Sequence, residues 1–172
     1  DRETQDNRVK RLHQEDFCQM LGVDPSRKYE ALGGPGIVSS YRLLRELSVT
    51  ASDSLEFIDR VIFNFLVGNG DAHGKNFSVI YRDGVALLAP MYDVMSTTVY
   101  PEVGKRMAMK IDEEYSFKWI SIGKFMRMAS KIGVSEKIMM REIDKIASKI
   151  RRLSPIIAKR CNAAWPSLIY DR

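Results

Sequence analysis

The chain has 172 residues, 45% of them hydrophobic, which is the size and apolar content of one domain able to bury its own core. Its formal net charge of +5 is unevenly spread: residues 1–101 carry 11 Lys/Arg against 14 Asp/Glu, whereas residues 102–160 carry 15 against 7. No run approaches the roughly 18 apolar residues of a membrane span, residues 1–16 are too charged for a signal peptide, and Cys18 and Cys161 form neither a disulfide framework nor a zinc motif, so a cytoplasmic protein without membrane contact is expected.

In chain order, a polar helix is expected over His13 to Leu21, stopping at Gly22, and Pro25 with the run Gly33-Gly34-Pro35-Gly36 then marks a loop. A short helix follows from Ser40 to Leu47. Ser52 or Asp53 caps an apolar helix from Leu55 to Val67, in which Leu55, Ile58, Ile62, Phe65 and Leu66 recur at three or four residues, and Gly68 ends it. This is the expected central core helix. Phe77 to Tyr81 and Val85 to Leu88 flank Asp83-Gly84, a favoured hairpin turn.

The remainder reads as helix. Phe117, Ile120, Phe125, Met126 and Ala129 form one stripe before Gly133, and Ile138 or Met139 with Ile143, Ile146, Ala147 and Ile150 form another after the cap Ser135. Ser154-Pro155 has the form of a cap and first residue of a last helix, ending near Trp165-Pro166. The basic charges of this half lie between apolar residues at helical spacing, as on a solvated helix face, with nucleic-acid contact as the other reading. The fold class is therefore mainly α with a small β-hairpin, in a single domain over residues 1–172.

The chemistry concentrates between Gly68 and Asp93. A kinase orients a hydroxyl with one carboxylate and holds nucleotide phosphates through metal ions bound by a second carboxylate and an amide oxygen, with Asp and Asn five residues apart in its catalytic loop. Asp71 and Asn76 have that spacing. If Asp83-Gly84 is a two-residue turn, Arg82 faces Val85, Ile80 faces Leu87, and the continued register puts Asn76 opposite Met91, within two residues of Asp93. Asp71 is then the candidate catalytic residue, Asn76 and Asp93 are candidate magnesium ligands, and His73 and Lys75 are candidates for contact with the transferred phosphate. The competing structural readings are an ordinary Asx turn at Asp71 and Asn76, a helix cap at Asp93 ahead of Val94, and a local hydrogen-bonding role for His73.

The run Gly70-Asp71-Ala72-His73-Gly74-Lys75-Asn76-Phe77-Ser78-Val79, followed by Pro90-Met91-Tyr92-Asp93-Val94, resembles the HipA toxin kinases of bacterial toxin–antitoxin modules. The segments from Arg11 to Gln19, Lys28-Tyr29-Glu30 and Gly33-Gly34-Pro35-Gly36 are similar to those that open the family's C-terminal lobe, so the resemblance covers most of residues 1 to about 110. It implies the C-terminal lobe of a kinase-like α+β fold, serine/threonine protein kinase activity with ATP as co-substrate and Mg2+, Asp71 as the catalytic aspartate, and Asn76 and Asp93 as metal ligands. It also implies a protein substrate such as an aminoacyl-tRNA synthetase, growth arrest and persistence through inhibited translation, and a HipB-like helix-turn-helix antitoxin through which DNA is bound.

The family carries its phosphate-covering loop and ATP-binding lysine in an N-terminal lobe before this region, and Asp1-Arg2 resembles the end of that preceding segment. A fragment lacking the N-terminal lobe, with little activity alone, is expected. Gly33-Gly34-Pro35-Gly36 is not the missing loop, since Pro35 removes an amide that could hold phosphate and no strand-to-helix context surrounds it. Two other readings stand beside this one. A small-molecule kinase of the aminoglycoside or choline type shares the Gly-Asp-x-His-x-x-x-Asn loop, although the segments before Gly36 argue against it. A non-catalytic domain could instead bind an antitoxin or DNA through the basic C-terminal helices.

Overall fold

The computed structural model describes residues 2–5, 8–47 and 50–160. Strands β1 (Arg2–Gln5) and β2 (Arg8–Arg11) pair as an antiparallel ribbon. Strand β3 (His13–Asp16) then leads directly into the one-turn helix α1 (Phe17–Met20), which Asp16 caps: its Oδ1 accepts from Gln19 N at 2.9 Å, and Gln19 Oε1 accepts from Asp16 N at 2.8 Å. The helix expected over His13 to Leu21 is thus confined to its second half. The first half is taken by the open edge of β4 (Ser78–Arg82), which pairs with β3 from His13↔Tyr81 to Asp16↔Ser78. An unpaired strand edge outweighs the weak helical preference of four polar residues, and Tyr81 adds a hydrogen bond from its hydroxyl to Glu15 Oε2 at 3.0 Å.

Helix α2 (Ile37–Glu46) precedes the central helix α3 (Ala51–Leu66). Thr50 is the cap of α3, its Oγ1 accepting from Asp53 N at 3.1 Å, so Ser52 and Asp53 lie in the first turn rather than at the cap. Phe57, Ile58, Val61 and Ile62 are all buried, and Phe57 meets Phe77 edge-on at 5.3 Å and Phe17 at 5.9 Å. This aromatic cluster joins α1, α3 and the residue that opens the hairpin. Gly68, at φ +72°, ends the helix in the left-handed conformation expected of it. Strand β5 (Val85–Leu88) pairs with β4 in the anticipated register, Arg82↔Val85 and Ile80↔Leu87, and Asp83 and Gly84 both have positive φ in the turn.

Residues 106–116 are a further hairpin instead of helix. Strands β6 (Arg106–Ile111) and β7 (Glu114–Ser116) turn at Asp112, whose φ is +58°. Met107, Ala108 and Met109 are buried in succession, which erases the alternation by which a half-exposed strand is recognised. The hairpin docks on helix α4 (Ile122–Lys131) through Asp112, whose carboxylate lies 2.8 Å from both Arg127 Nε and Lys131 Nζ. Hydrogen bonds from Lys131 and then Arg127 hold the Asp112 carboxyl down at about 2. A depressed carboxyl stabilises the fold above its unfolded pKa, about 3.9, and loses that contribution as pH falls through the folded value. The Asp112→Asn variant is therefore less stable than wild type at pH 7, and the gap between their thermal midpoints closes as pH is lowered from about 4 to 2.

Helix α5 (Glu136–Arg160) runs through Pro155, where a new helix was expected to begin. Proline removes one intrahelical donor, and the adjacent Ser154 hydroxyl turns back to donate to the Ile150 carbonyl. The expected end near Trp165-Pro166 and the second cysteine, Cys161, lie outside the described residues; Cys18 is a free, buried thiol. Lys145 on α5 pairs with Asp59 of α3 at 2.5 Å and with the buried Glu142, fixing the two helices together. No described helix is long and apolar enough to cross a membrane. Among the described residues the architecture is mainly helical, as expected, with three small antiparallel sheets: β1-β2, β3-β4-β5 and β6-β7.

Candidate active site

The loop leaving α3 is built on Asn69. This side chain is 2% exposed, donates from Nδ2 to Asn64 Oδ1 at 2.9 Å and accepts from Asp71 N at 3.1 Å. The Asx turn therefore belongs to Asn69, which leaves the Asp71 carboxylate free for another purpose. Thr97 braces the same loop, its Oγ1 accepting from Gly70 N at 2.8 Å and donating to the Gly68 carbonyl at 3.2 Å.

The His73 N–H is shared between the Asp71 carbonyl at 2.8 Å and Asn76 Oδ1 at 3.2 Å, so one donor ties the aspartate to the asparagine. Asn76 Nδ2 in turn donates to Asp93 Oδ2 at 2.7 Å. The hairpin has thus brought Asp93 onto Asn76, seventeen residues away in sequence. The helix cap at Asp93 is absent: residues 94–96 are not helical, and the next short turn, Thr97–Val99, starts after Ser96. Asp93 instead adopts φ +55° and is exposed. Unlike Asp83 and Asp112 it sits in no hairpin turn, and a non-glycine residue held in this region marks a place where the surroundings impose the geometry.

Neighbouring contacts deliver Asp93 to this position. Tyr92 donates from its hydroxyl to the Lys75 carbonyl at 2.6 Å and meets Ser78 Oγ, while the buried Arg60 of α3 reaches the Ala89 carbonyl just before Pro90. His73 is 5% exposed, with its ring edge-on to Tyr29 at 5.2 Å. Burial, and then the Lys28 ammonium, push its imidazole below the usual range, so the ring is neutral at pH 7. The negative charges of both Asp71 and Asp93 bear on this ring in the opposite sense. Lys75 is half-buried.

Residues 1–153 match the model of the HipA-like C-terminal domain. The chain belongs to that family. This HipA-like domain is 42% identical over 142 residues to the putative kinase Y4mE of Sinorhizobium fredii, covering 82% of this chain and 34% of that protein. It is 30% identical over 156 residues to the serine/threonine-protein kinase toxin HipA of Shewanella oneidensis, covering 84% of this chain and 36% of the toxin. Among solved structures it resembles the Shewanella oneidensis MR-1 complex of HipA, HipB and operator DNA, with a TM-score of 0.73, 28% identity, and coverage of 88% of this chain and 39% of that one. The HipA-like domain spans about a third of the length of the curated relatives it matches.

Among the described residues of the HipA-like domain, no three His, Cys, Asp or Glu side chains cluster as a metal cage. Asn76 and Asp93 carry an amide oxygen and a carboxylate, hard donors that suit magnesium, which keeps several of its waters; here Asn76 turns its Nδ2 to Asp93 and its Oδ1 to the His73 N–H. Sequence reasoning had not found Asn69, Thr97, Tyr92, Arg60 or the hydroxyl of Tyr29 as parts of the site. Tyr29 and Tyr92 lie within the family-like segments, and Arg60 carries a signal of its own, a single cation within the apolar stretch of α3.

Proposed function

We propose that this domain is the nucleophile- and metal-binding half of an ATP- and Mg2+-dependent serine/threonine protein kinase. The observation that carries the reading is the contact between Asn76 and Asp93, with Asp71 joined to Asn76 through the shared His73 N–H. In the transfer, the substrate hydroxyl oxygen bonds to the γ-phosphorus of ATP, its proton passes to Asp71, and the bond from that phosphorus to the bridging oxygen of ADP breaks. Asn76 and Asp93 would hold magnesium, which would supply positive charge to neutralise the phosphates. Lys75 is the cation available to the transferred phosphate, and neutral His73 keeps the loop in shape.

The nucleotide-covering lobe belongs to the part of the relatives that this chain does not span. The name of one relative, a serine/threonine-protein kinase toxin, supports a toxin kinase; growth arrest in the cytoplasm through phosphorylation of a component of translation, an aminoacyl-tRNA synthetase being the implied class, is the finer part of the proposal. The Shewanella complex of HipA, HipB and operator DNA supports a HipB-like antitoxin as partner; its helix-turn-helix character and DNA contact made through it are part of the proposal. The reading is tested by ATP-dependent transfer to protein with the full-length protein and its Asp71→Asn variant; undiminished transfer in the variant overturns it.

A further inference from the structure

The Asp71 carboxylate is not symmetrically available. Its Oδ1 accepts a hydrogen bond from the Tyr29 hydroxyl at 2.6 Å, across 42 residues of sequence, while its Oδ2 makes no hydrogen bond among the described residues and is not buried. The bond to the carboxylate, followed by burial, pushes the Tyr29 phenol up to about 12, so it remains a donor throughout the working pH range. We propose that Tyr29 is a positioning residue for phosphoryl transfer: its phenol engages one oxygen of Asp71 and thereby aims the other at the substrate hydroxyl.

The surroundings of Tyr29 are those of a fixed support. Its ring packs edge-on against His73, and the Lys28 ammonium lies 5.2 Å from the ring centre. The Tyr29 carbonyl accepts from Leu32 N and Gly34 N, both at 2.9 Å, and the Lys28 carbonyl accepts from Gly74 N at 3.2 Å, which fastens this segment to the loop carrying Asp71. Pro35, fully buried, lies against Gly74 so closely that a Cβ there would come within 2.6 Å of Pro35 Cγ. The Gly33-Gly34-Pro35-Gly36 run is therefore a brace beneath the catalytic loop. Rotation of the Asp71 side chain would break the bond from a phenol that cannot follow it, and a general base must be aligned on its proton before its basicity matters.

This inference rests on Asp71 being the base, and the experiment separates the two. In the full-length protein, Tyr29→Phe keeps the ring and its packing on His73 but removes the hydroxyl. The expected result is a fall in kcat of about 10- to 100-fold, the usual effect of losing an orienting hydrogen bond, with KM for ATP and the thermal midpoint little changed. Adding Tyr29→Phe to Asp71→Asn should cost far less than adding it to wild type, because the hydroxyl acts through Asp71. An unchanged kcat in Tyr29→Phe, or the same fold-loss in both backgrounds, overturns the positioning role while leaving Asp71 as base. Undiminished transfer by Asp71→Asn overturns the base and the positioning role with it.

Discussion

Asp71→Asn lowers the rate of phosphoryl transfer by the full-length protein about 10²- to 10⁴-fold, the range for removal of a general base. The substitution is nearly isosteric, and the amide oxygen can still accept from the Tyr29 hydroxyl, so the loop keeps its shape and only the proton acceptor is lost. No ion pair involves Asp71 among the described residues, and stability is accordingly little affected. Because the carboxylate acts on the hydroxyl and not on the nucleotide, kcat falls while KM for ATP stays near its wild-type value. Asp93→Asn gives a different signature. It removes the charged oxygen beside Asn76, so the Mg2+ concentration needed for half-maximal rate rises, whereas in Asp71→Asn it does not. Initial rates measured over a Mg2+ titration distinguish the two, and equal Mg2+ requirements in all three proteins would remove Asp93 from the metal site.

The part of this site legible in the sequence was the part carried by local rules. Asp83-Gly84 fixes a two-residue turn, the turn fixes the register of β4 and β5, and the register places Asp93 near Asn76. Each step depends on residues a few positions apart. The illegible parts depend on partners distant in sequence. His13–Asp16 is a strand because β4 offers it an edge, and nothing within those four residues announces it. Strand β6 buries both faces with methionine and alanine, residues that neither alternate nor favour strands. Pro155 follows a serine in the arrangement of a helix start, yet the preceding turns of α5 were already formed and the helix tolerates the missing donor on a largely exposed face. Tyr29 lies within the family-like segment Lys28-Tyr29-Glu30, but a hydroxyl reaching a carboxylate 42 residues away has no spacing by which to be recognised.

Gly34→Ala destabilises the domain by about 3 kcal/mol or more, the upper end of the range for an overpacked site. The added Cβ would lie 2.2 Å from the Arg27 carbonyl oxygen, 2.8 Å from the Lys28 carbonyl carbon and 2.8 Å from the Tyr29 carbonyl oxygen. All three are backbone atoms, so no side chain can rotate out of the way and the segment itself must move. In a domain of this size the loss corresponds to a fall in thermal midpoint of roughly 6–12 °C. Gly22→Ala is the control: Gly22 has φ +63° but nothing within 4 Å of its Cβ position, so the variant bears only the left-handed backbone penalty of about 1–2 kcal/mol. The two substitutions also differ in where the strain goes. At Gly22 it stays in a surface turn, whereas at Gly34 the atoms displaced are those that hold the Tyr29 phenol against Asp71 and the Lys28 carbonyl against Gly74. Gly34→Ala should therefore lose transfer activity at temperatures where its fold is still intact, and Gly22→Ala should not. Equal midpoints for the two variants in thermal unfolding would mean that the Gly33–Gly36 run yields readily and is no brace for the catalytic loop.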